Sequence, residues 1–438
     1  MTDINADSWS WNRLTRGEPT LWLNPGRPIP HQTAPSLGLA EVQAARDRWQ
    51  RYAPLLRALF PDQVPNGIIE SPLVAIPRLA ARFLPEAHRH ASARLFVKAD
   101  HALPVAGSVK ARGGIFEVLC LAERVALAEK LIGDRHDDYS KLASTAARQT
   151  FAKYRLLVAS TGNLGFAVGT MGRALGFETT VHMSSDAKAW KKDRLRKIGA
   201  TVIEHDADYT TAVAAARAAA DAADNAHFVD DEQSLELFLG YSVGGLRLAE
   251  QLAQLDIDVS AARPLCVYLP CGVGGAPGGI LFGLRAVFGD NVWGFFAEPT
   301  ASPCMLMRLM SHLPPEASIY DIGLDNRTEA DGLAVGRASE LVVALVGEHI
   351  KGAFTVTDDE MFRWLARAYR EENLRLEPSA AAGFPGALQH VWSLSTTQAQ
   401  RERLEAATHV VWTTGGSMVP EQQYRSMLQR GLQLTQLD

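Results

Sequence analysis

The 438-residue sequence holds only four cysteines, Cys120, Cys266, Cys271 and Cys304. Thiols so few and so scattered exclude a disulfide scaffold and a zinc knuckle, and they fit a reducing compartment. Long apolar runs are also lacking: none approaches the roughly 18 residues that a membrane span needs. No N-terminal stretch has the charged-then-apolar pattern of a secretory leader, so a cytoplasmic protein is expected. Nor is there an excess of one charge. Lys and Arg number 44 against 49 Asp and Glu, for a net charge of −5. Basic and acidic residues are interleaved, which leaves no electrostatic footprint for nucleic acid. What the chain does have is a 47% share of apolar residues, enough to bury a large core divided among more than one lobe.

The N-terminal sixty or so residues read as an irregular arm followed by an amphipathic helix over 40–60, with Val42, Trp49, Leu55 and Leu56 on a 3.6-residue period. Residues 92–100 read as a strand, and a helix over 110–131 opens on Lys110. From 155 to 229, short apolar runs alternate with helices, the signature of a parallel sheet with crossover connections. A second set, with strands at 265–270, 292–299 and 408–416, predicts a larger parallel sheet buried on both faces. The expected organisation is a discontinuous large domain, 1–150 and 235–438, around a small α/β domain at 151–234.

Lys110 lies in AGSVKARGG, residues 106–114. A surface lysine needs no such sleeve of small neighbours, and the glycines imply a close approach to the backbone. PCGVGGAPGG, residues 270–279, puts five glycines between a strand and a helix. Exposed backbone amides at a helix start suit a phosphate. STGNLG, residues 160–165, stands at another strand-to-helix junction, where Ser160, Thr161 and Asn163 suit a carboxylate. In WTTGG, residues 412–416, Thr413 and Thr414 end a buried strand. A lysine, an anion cradle, a carboxylate turn and a hydroxyl are together what a pyridoxal phosphate enzyme requires.

On these motifs, and on VHMSSDAKAWKKDRLR (181–196), DDEQSLELFLGYSVGG (230–245), FFAEPTASPCM (295–305), ADGLAVGRAS (330–339), RLEPSA (375–380) and VVWTTGGSMVPE (410–421), the chain resembles the fold type II, or β-family, pyridoxal phosphate enzymes. Among them it is most similar to the bacterial D-serine dehydratases. The resemblance implies two open, twisted, mainly parallel sheets flanked by helices. It implies a lyase that takes D-serine to pyruvate and ammonia, and D-threonine to 2-oxobutanoate, as a cytoplasmic monomer without nucleic-acid or membrane partners. L-serine or L-threonine dehydratase and serine racemase are the alternatives of the same fold. A non-catalytic anion- or cofactor-binding protein is the alternative of another class.

By residue, the resemblance implies Lys110 as the Schiff-base lysine and Gly272, Gly274, Gly275, Gly278 and Gly279 around the phosphate. It places Asn163 at the cofactor's 3′ oxygen, Thr414 at its ring nitrogen, and Ser160, Thr161 and Gly162 around the substrate carboxylate. A hydroxyl at the ring nitrogen does not hold it protonated, so elimination should outrun transamination. The small residues near Lys110 are expected to make room for the flat cofactor. Ala276 and Ser417 stand where glycine is expected.

The α-hydrogen of a D-amino acid bound by this turn faces away from the lysine. Either the substrate binds rotated, or a group on the far face takes the proton. Thr161 is the candidate for that group, with Asp231 as its partner or as a ligand of the substrate hydroxyl; capping of the next helix is the plainer role for Asp231. Glu298 is the candidate ligand of a monovalent cation, potassium or sodium, with a buried ion pair as the alternative. His88 and His90 form an HxH with no third metal ligand nearby in sequence. The basic run 188–197 reads as an exposed helix face.

Overall fold

A computed structural model describes residues 8–26, 29, 35–160, 162–185, 187–206, 209–311, 313–393 and 397–436, with backbone only at 89, 90, 92, 93 and 209–211. The chain forms two compact units. One comprises Met1–Gly38, Ser71–Ala102 and Gly244–Asp438, the other Leu39–Glu70 and Leu103–Val243. Lys110 thus belongs to the unit that contains 151–234, and the last crossing between units falls at 243/244.

The strands are β1 (Leu21–Leu23), β2 (Leu73–Ala75), β3 (Leu95–Lys98), β4 (Arg155–Ala159), β5 (Glu178–Ser184), β6 (Thr201–His205), β7 (Ala226–Val229), β8 (Leu265–Pro270), β9 (Val292–Pro299), β10 (Ile350–Val356) and β11 (Thr408–Trp412). The first unit holds a seven-stranded sheet, β1-β10-β9-β8-β11-β3-β2. Its five central strands are parallel, and the short edge strands β1 and β2 run antiparallel to their neighbours. Every residue of β3, β8 and β11 is buried, which explains why these strands read as continuous apolar runs rather than alternating ones. The second unit holds the all-parallel sheet β6-β5-β4-β7.

Two consequences of parallel pairing position the chemistry. In the first unit, the segments that follow β3, β8, β9 and β11 leave the sheet at one edge. In the second, those that follow β4 and β7 do the same. The carboxyl ends of parallel strands, where helix N-termini gather, are where such sheets bind ligands.

The core of the first unit also buries polar groups. Tyr268 Oη lies 2.8 Å from His409 Nδ1, and His409 Nε2 lies 3.0 Å from the Leu404 carbonyl. A carbonyl only accepts, so Nε2 carries the proton and Nδ1 accepts from the tyrosine. Complete burial lowers the His409 pKa from 6.5 to about 4. The unfolded chain therefore binds a proton that the folded one refuses, and the stability present above pH 6.5 is lost as the pH falls toward 4. A depression of that size corresponds to about 3 kcal/mol. Buried His101 and His182 are lowered in the same way, each to about 4. In urea titrations the unfolding midpoint is expected to drop steeply between pH 6.5 and 4, and less steeply in His409→Asn. Equal drops would refute the assignment.

Candidate active site

In the second unit, Lys110 caps a short π-helical turn, Ala111–Ile115, that runs directly into the α-helix Phe116–Ala128. Its ammonium lies 3.1 and 3.2 Å from the two carboxylate oxygens of Asp231, two residues beyond the end of β7. The Tyr241 ring centroid is 5.9 Å from the same nitrogen. The neighbouring Arg112, itself buried, grips Glu70 with two nitrogens at 2.6 and 3.2 Å and fixes the start of the turn.

Two of the small residues beside Lys110 are required by packing within the chain itself. A Cβ on Gly113 would stand 2.5 Å from two carbons of the Tyr241 ring and 2.9 Å from the Leu237 carbonyl oxygen. One on Gly114 would stand 2.9 Å from Leu164 Cδ1. From the other side, a Cβ on Gly240 would stand 2.7 Å from the Arg112 carbonyl oxygen. These glycines bring three helix starts of this chain into near-backbone contact, and that packing accounts for their size.

The turn after β4 is built around Ser160, whose buried Oγ accepts from the amides of Gly162 and Gly165 at 2.9 and 2.8 Å. Gly162 has φ +150° and opens the helix Asn163–Leu175 without a side-chain cap. Thr161, the candidate far-face base, lies outside the described residues. Beside this turn stands a residue that the sequence reading missed. Lys191 is 5% exposed, and a Cβ on Gly162 would lie 2.5 Å from its Cδ and 3.1 Å from its Nζ. Lys192 is also buried, and donates to the Ser185 carbonyl and to Glu204, both at 2.7 Å. The run 188–197 is therefore not simply an exposed face. A lysine turned inward at a Cβ-free turn leaves no trace in a charge pattern.

In the first unit, β8 leads into the glycine loop and the helix Gly275–Phe288. Gly274 takes a left-handed φ of +111°, and the helix start has no side-chain cap. Pro277 has no N–H, so the amides of Gly274, Gly275 and Ala276 are the ones that helix geometry leaves without an internal acceptor. Ala276 is helical, outside the positive-φ positions, so the departure from glycine there costs nothing. Gly278 allows close packing on Val342, whose Cγ1 would be 2.6 Å from an added Cβ.

At the end of β11, Thr413 Oγ1 donates to the Lys98 carbonyl at 3.0 Å and is 2.8 Å from His101 Nδ1. The threonine proton is spent on the carbonyl, so His101 Nδ1 is the donor in the second bond. Thr413 is thereby committed to the scaffold, and Thr414, part-buried next to it, is the threonine left for a ligand. Glu298, wholly buried at the end of β9, accepts from the amides of Met305 and Leu306, each at 2.8 Å. Burial pushes its pKa up to about 8 against those two bonds. The carboxylate therefore caps the helix Cys304–Met310. Among the described residues no three His, Cys, Asp or Glu side chains cluster as metal ligands. His88 instead sits 3.0 Å from Glu405 and stacks on Trp392.

An uncapped glycine-rich helix start suits a phosphate, and a lysine held by a carboxylate suits a group that bonds to its nitrogen. The model for pyridoxal-phosphate dependent enzymes matches residues 64–415. The chain belongs to the pyridoxal-phosphate dependent enzyme family. Among the relatives of this family member is a probable D-serine dehydratase of Pseudomonas putida (strain GB-1), 50% identical over 418 residues that cover 94% of each chain. The D-serine dehydratase of Escherichia coli O81 (strain ED1a) is 49% identical over 418 residues, again 94% of each. Among solved structures, diaminopropionate ammonia lyase from Escherichia coli in complex with D-serine superposes with a TM-score of 0.67 at 19% identity, over 94% of this chain and 97% of that one. The fold type II architecture is that of these enzymes.

Proposed function

We propose that this chain eliminates water from D-serine and releases pyruvate and ammonia, with D-threonine going to 2-oxobutanoate by the same chemistry. The observation that carries the reading is the Lys110 ammonium held by both oxygens of Asp231 in the unit that also contains the Ser160–Gly162 turn. The names of the relatives, near 50% identical over 94% of both chains, supply the substrate and its hand.

Bound to the chain, pyridoxal phosphate supplies an electron sink for the pair left when the α-hydrogen departs. Lys110 holds the cofactor covalently, and the amides at the start of Gly275–Phe288, with Gly272, Gly274, Gly275, Gly278 and Gly279 around them, take its phosphate. Thr414 serves the ring nitrogen and Asn163 the 3′ oxygen. The Ser160, Thr161 and Gly162 turn takes the substrate carboxylate at a positive helix end. Thr161 relays a proton: its hydroxyl passes its own proton to the β-hydroxyl, which Asp231 orients and which leaves as water. It takes in exchange the α-proton that faces away from Lys110. The enamine so released hydrolyses to pyruvate and ammonia. Glu298, with backbone carbonyls, is the ligand of a potassium or sodium ion, and the enzyme works as a cytoplasmic monomer.

Pyruvate release is to be measured on D-serine and L-serine in parallel, with the cofactor and potassium present. D-serine is expected to exceed L-serine in kcat/KM by on the order of a hundredfold or more, because a site built for one arrangement of polar groups leaves buried groups unpaired with the other. Faster turnover of L-serine, or none of either, would overturn the reading.

A further inference from the structure

Two bridges join the helix that starts beside Lys110 to the turn that carries Asp231. The first is the Lys110–Asp231 pair. The second lies further along both elements: Ser234 Oγ donates to Glu117 Oε2 at 2.7 Å. Glu117 is 1% exposed, and its other oxygen lies 2.9 Å from His227 Nε2 on β7. Ser234 Oγ also accepts from the Leu237 amide at 3.1 Å, so its one proton is committed to Glu117 and the hydroxyl has a single orientation. Neither Glu117 nor His227 has a place in the chemistry described above.

The turn between these bridges is held by its backbone. Asp230 accepts from the amides of Glu232 and Gln233 at 3.0 and 3.3 Å and from Arg217 at 2.7 Å. Asp231 is different: among the described residues its carboxylate is bonded to Lys110 alone. Its side chain is thus placed by the turn, and by Lys110 for as long as Lys110 is an ammonium. A lysine nitrogen bonded to a carbonyl carbon no longer presents three N–H donors. The first bridge therefore weakens in the resting holoenzyme that receives substrate, where Lys110 is bonded to the cofactor, whereas the second does not involve Lys110.

We propose that Glu117, Ser234 and His227 are positioning residues for the reaction, a clasp that keeps Asp231 in register with Lys110 when the ion pair between them is lost. The inference rests on the reading of Lys110 as the cofactor's covalent anchor and of Asp231 as a group that acts on substrate. Burial raises the pKa of Glu117, with Glu236 adding to the rise while His227 and Ser234 oppose it. Two fixed neighbours thus stabilise the carboxylate that the buried site disfavours, so loss of either loosens the clasp.

The test is a double-mutant cycle on the holoenzyme. Ser234→Ala is expected to lower kcat on D-serine about tenfold or more, since small misplacements of an active-site group are costly, with KM changed less than about threefold and cofactor absorbance retained. Ser234→Thr, which keeps the hydroxyl and the helix cap, restores kcat. Ser234→Ala combined with Asp231→Asn is expected to be no slower than Asp231→Asn alone, because the serine acts through the aspartate. In the cofactor-free chain, amide exchange over residues 230–237 quickens in Ser234→Ala and reverts in Ser234→Thr. Multiplicative losses in the double variant, or an unchanged kcat in Ser234→Ala, would overturn the clasp while the role of Asp231 stands. Wild-type turnover in Asp231→Asn would instead sink the reading of Asp231, and the clasp with it.

Discussion

Lys110→Ala is expected to abolish turnover of D-serine, by about four orders of magnitude or more, and to do so without unfolding the protein. The first half follows from the chemistry: the covalent anchor is lost, and with it the group that returns the cofactor after each cycle. The second half follows from the surroundings. Lys110 is part-exposed, and its side chain meets the Asp231 carboxylate and the Tyr241 ring. With its side chains 20% and 10% exposed, the pair lies between the surface and buried cases, and its loss costs about 2 kcal/mol or less. The urea midpoint of the variant should therefore fall only modestly below that of wild type. Cofactor that survives dialysis, and cofactor fixed to the protein by borohydride, should both vanish. Retained borohydride labelling would show that another lysine is the anchor, and a collapsed urea midpoint would show that the Asp231 pair matters more to folding than its exposure implies.

How much of this was legible in the sequence depended on the range of the interaction. The strands β4, β8 and β9 are runs of mostly apolar residues, β5 and β6 are β-branched stretches, and their positions follow from local pattern. The edge strands β1 and β2 are each three residues long and pair antiparallel to distant partners, so nothing local announces them. The same holds at the site. Gly162, Ser160 and the glycine loop are strand-to-helix turns with local signatures, and the structure builds them as such. The bond from Ser234 to Glu117 spans 117 positions; Glu117 lies in none of the motifs, and the motif 230–245 that contains Ser234 says nothing of its partner. Lys191 was misread for another reason: a charged residue on a helix usually faces water, and only the missing side chain at Gly162 gives its stem a buried place to lie. The unit boundary was displaced on similar grounds, because the contacts that draw 39–70 and 103–150 to the small sheet are tertiary ones.

Gly113→Ala should lower the stability of the cofactor-free protein by about 3 kcal/mol, at the upper end for an added methyl group in a packed site. The two obstacles differ in kind. The Tyr241 ring, 2.5 Å from the new Cβ, is a side chain that can swing, but it is wholly buried and has no open space to enter. The Leu237 carbonyl oxygen, at 2.9 Å, is backbone within the first turn of the helix Leu235–Gln254 and yields only if that helix shifts. Such a shift would carry the turn 230–234 with it and move Asp231 relative to Lys110. Activity should thus fall together with stability, and Tyr241→Leu in the same chain should recover part of the stability by removing the first obstacle, a coupling that a double-mutant cycle in urea reads directly. Had Gly113 been small only to admit a cofactor, the added methyl would weaken cofactor binding and leave the cofactor-free protein as stable as before. The urea midpoint of that form therefore separates packing from cofactor clearance as the reason for glycine beside the lysine.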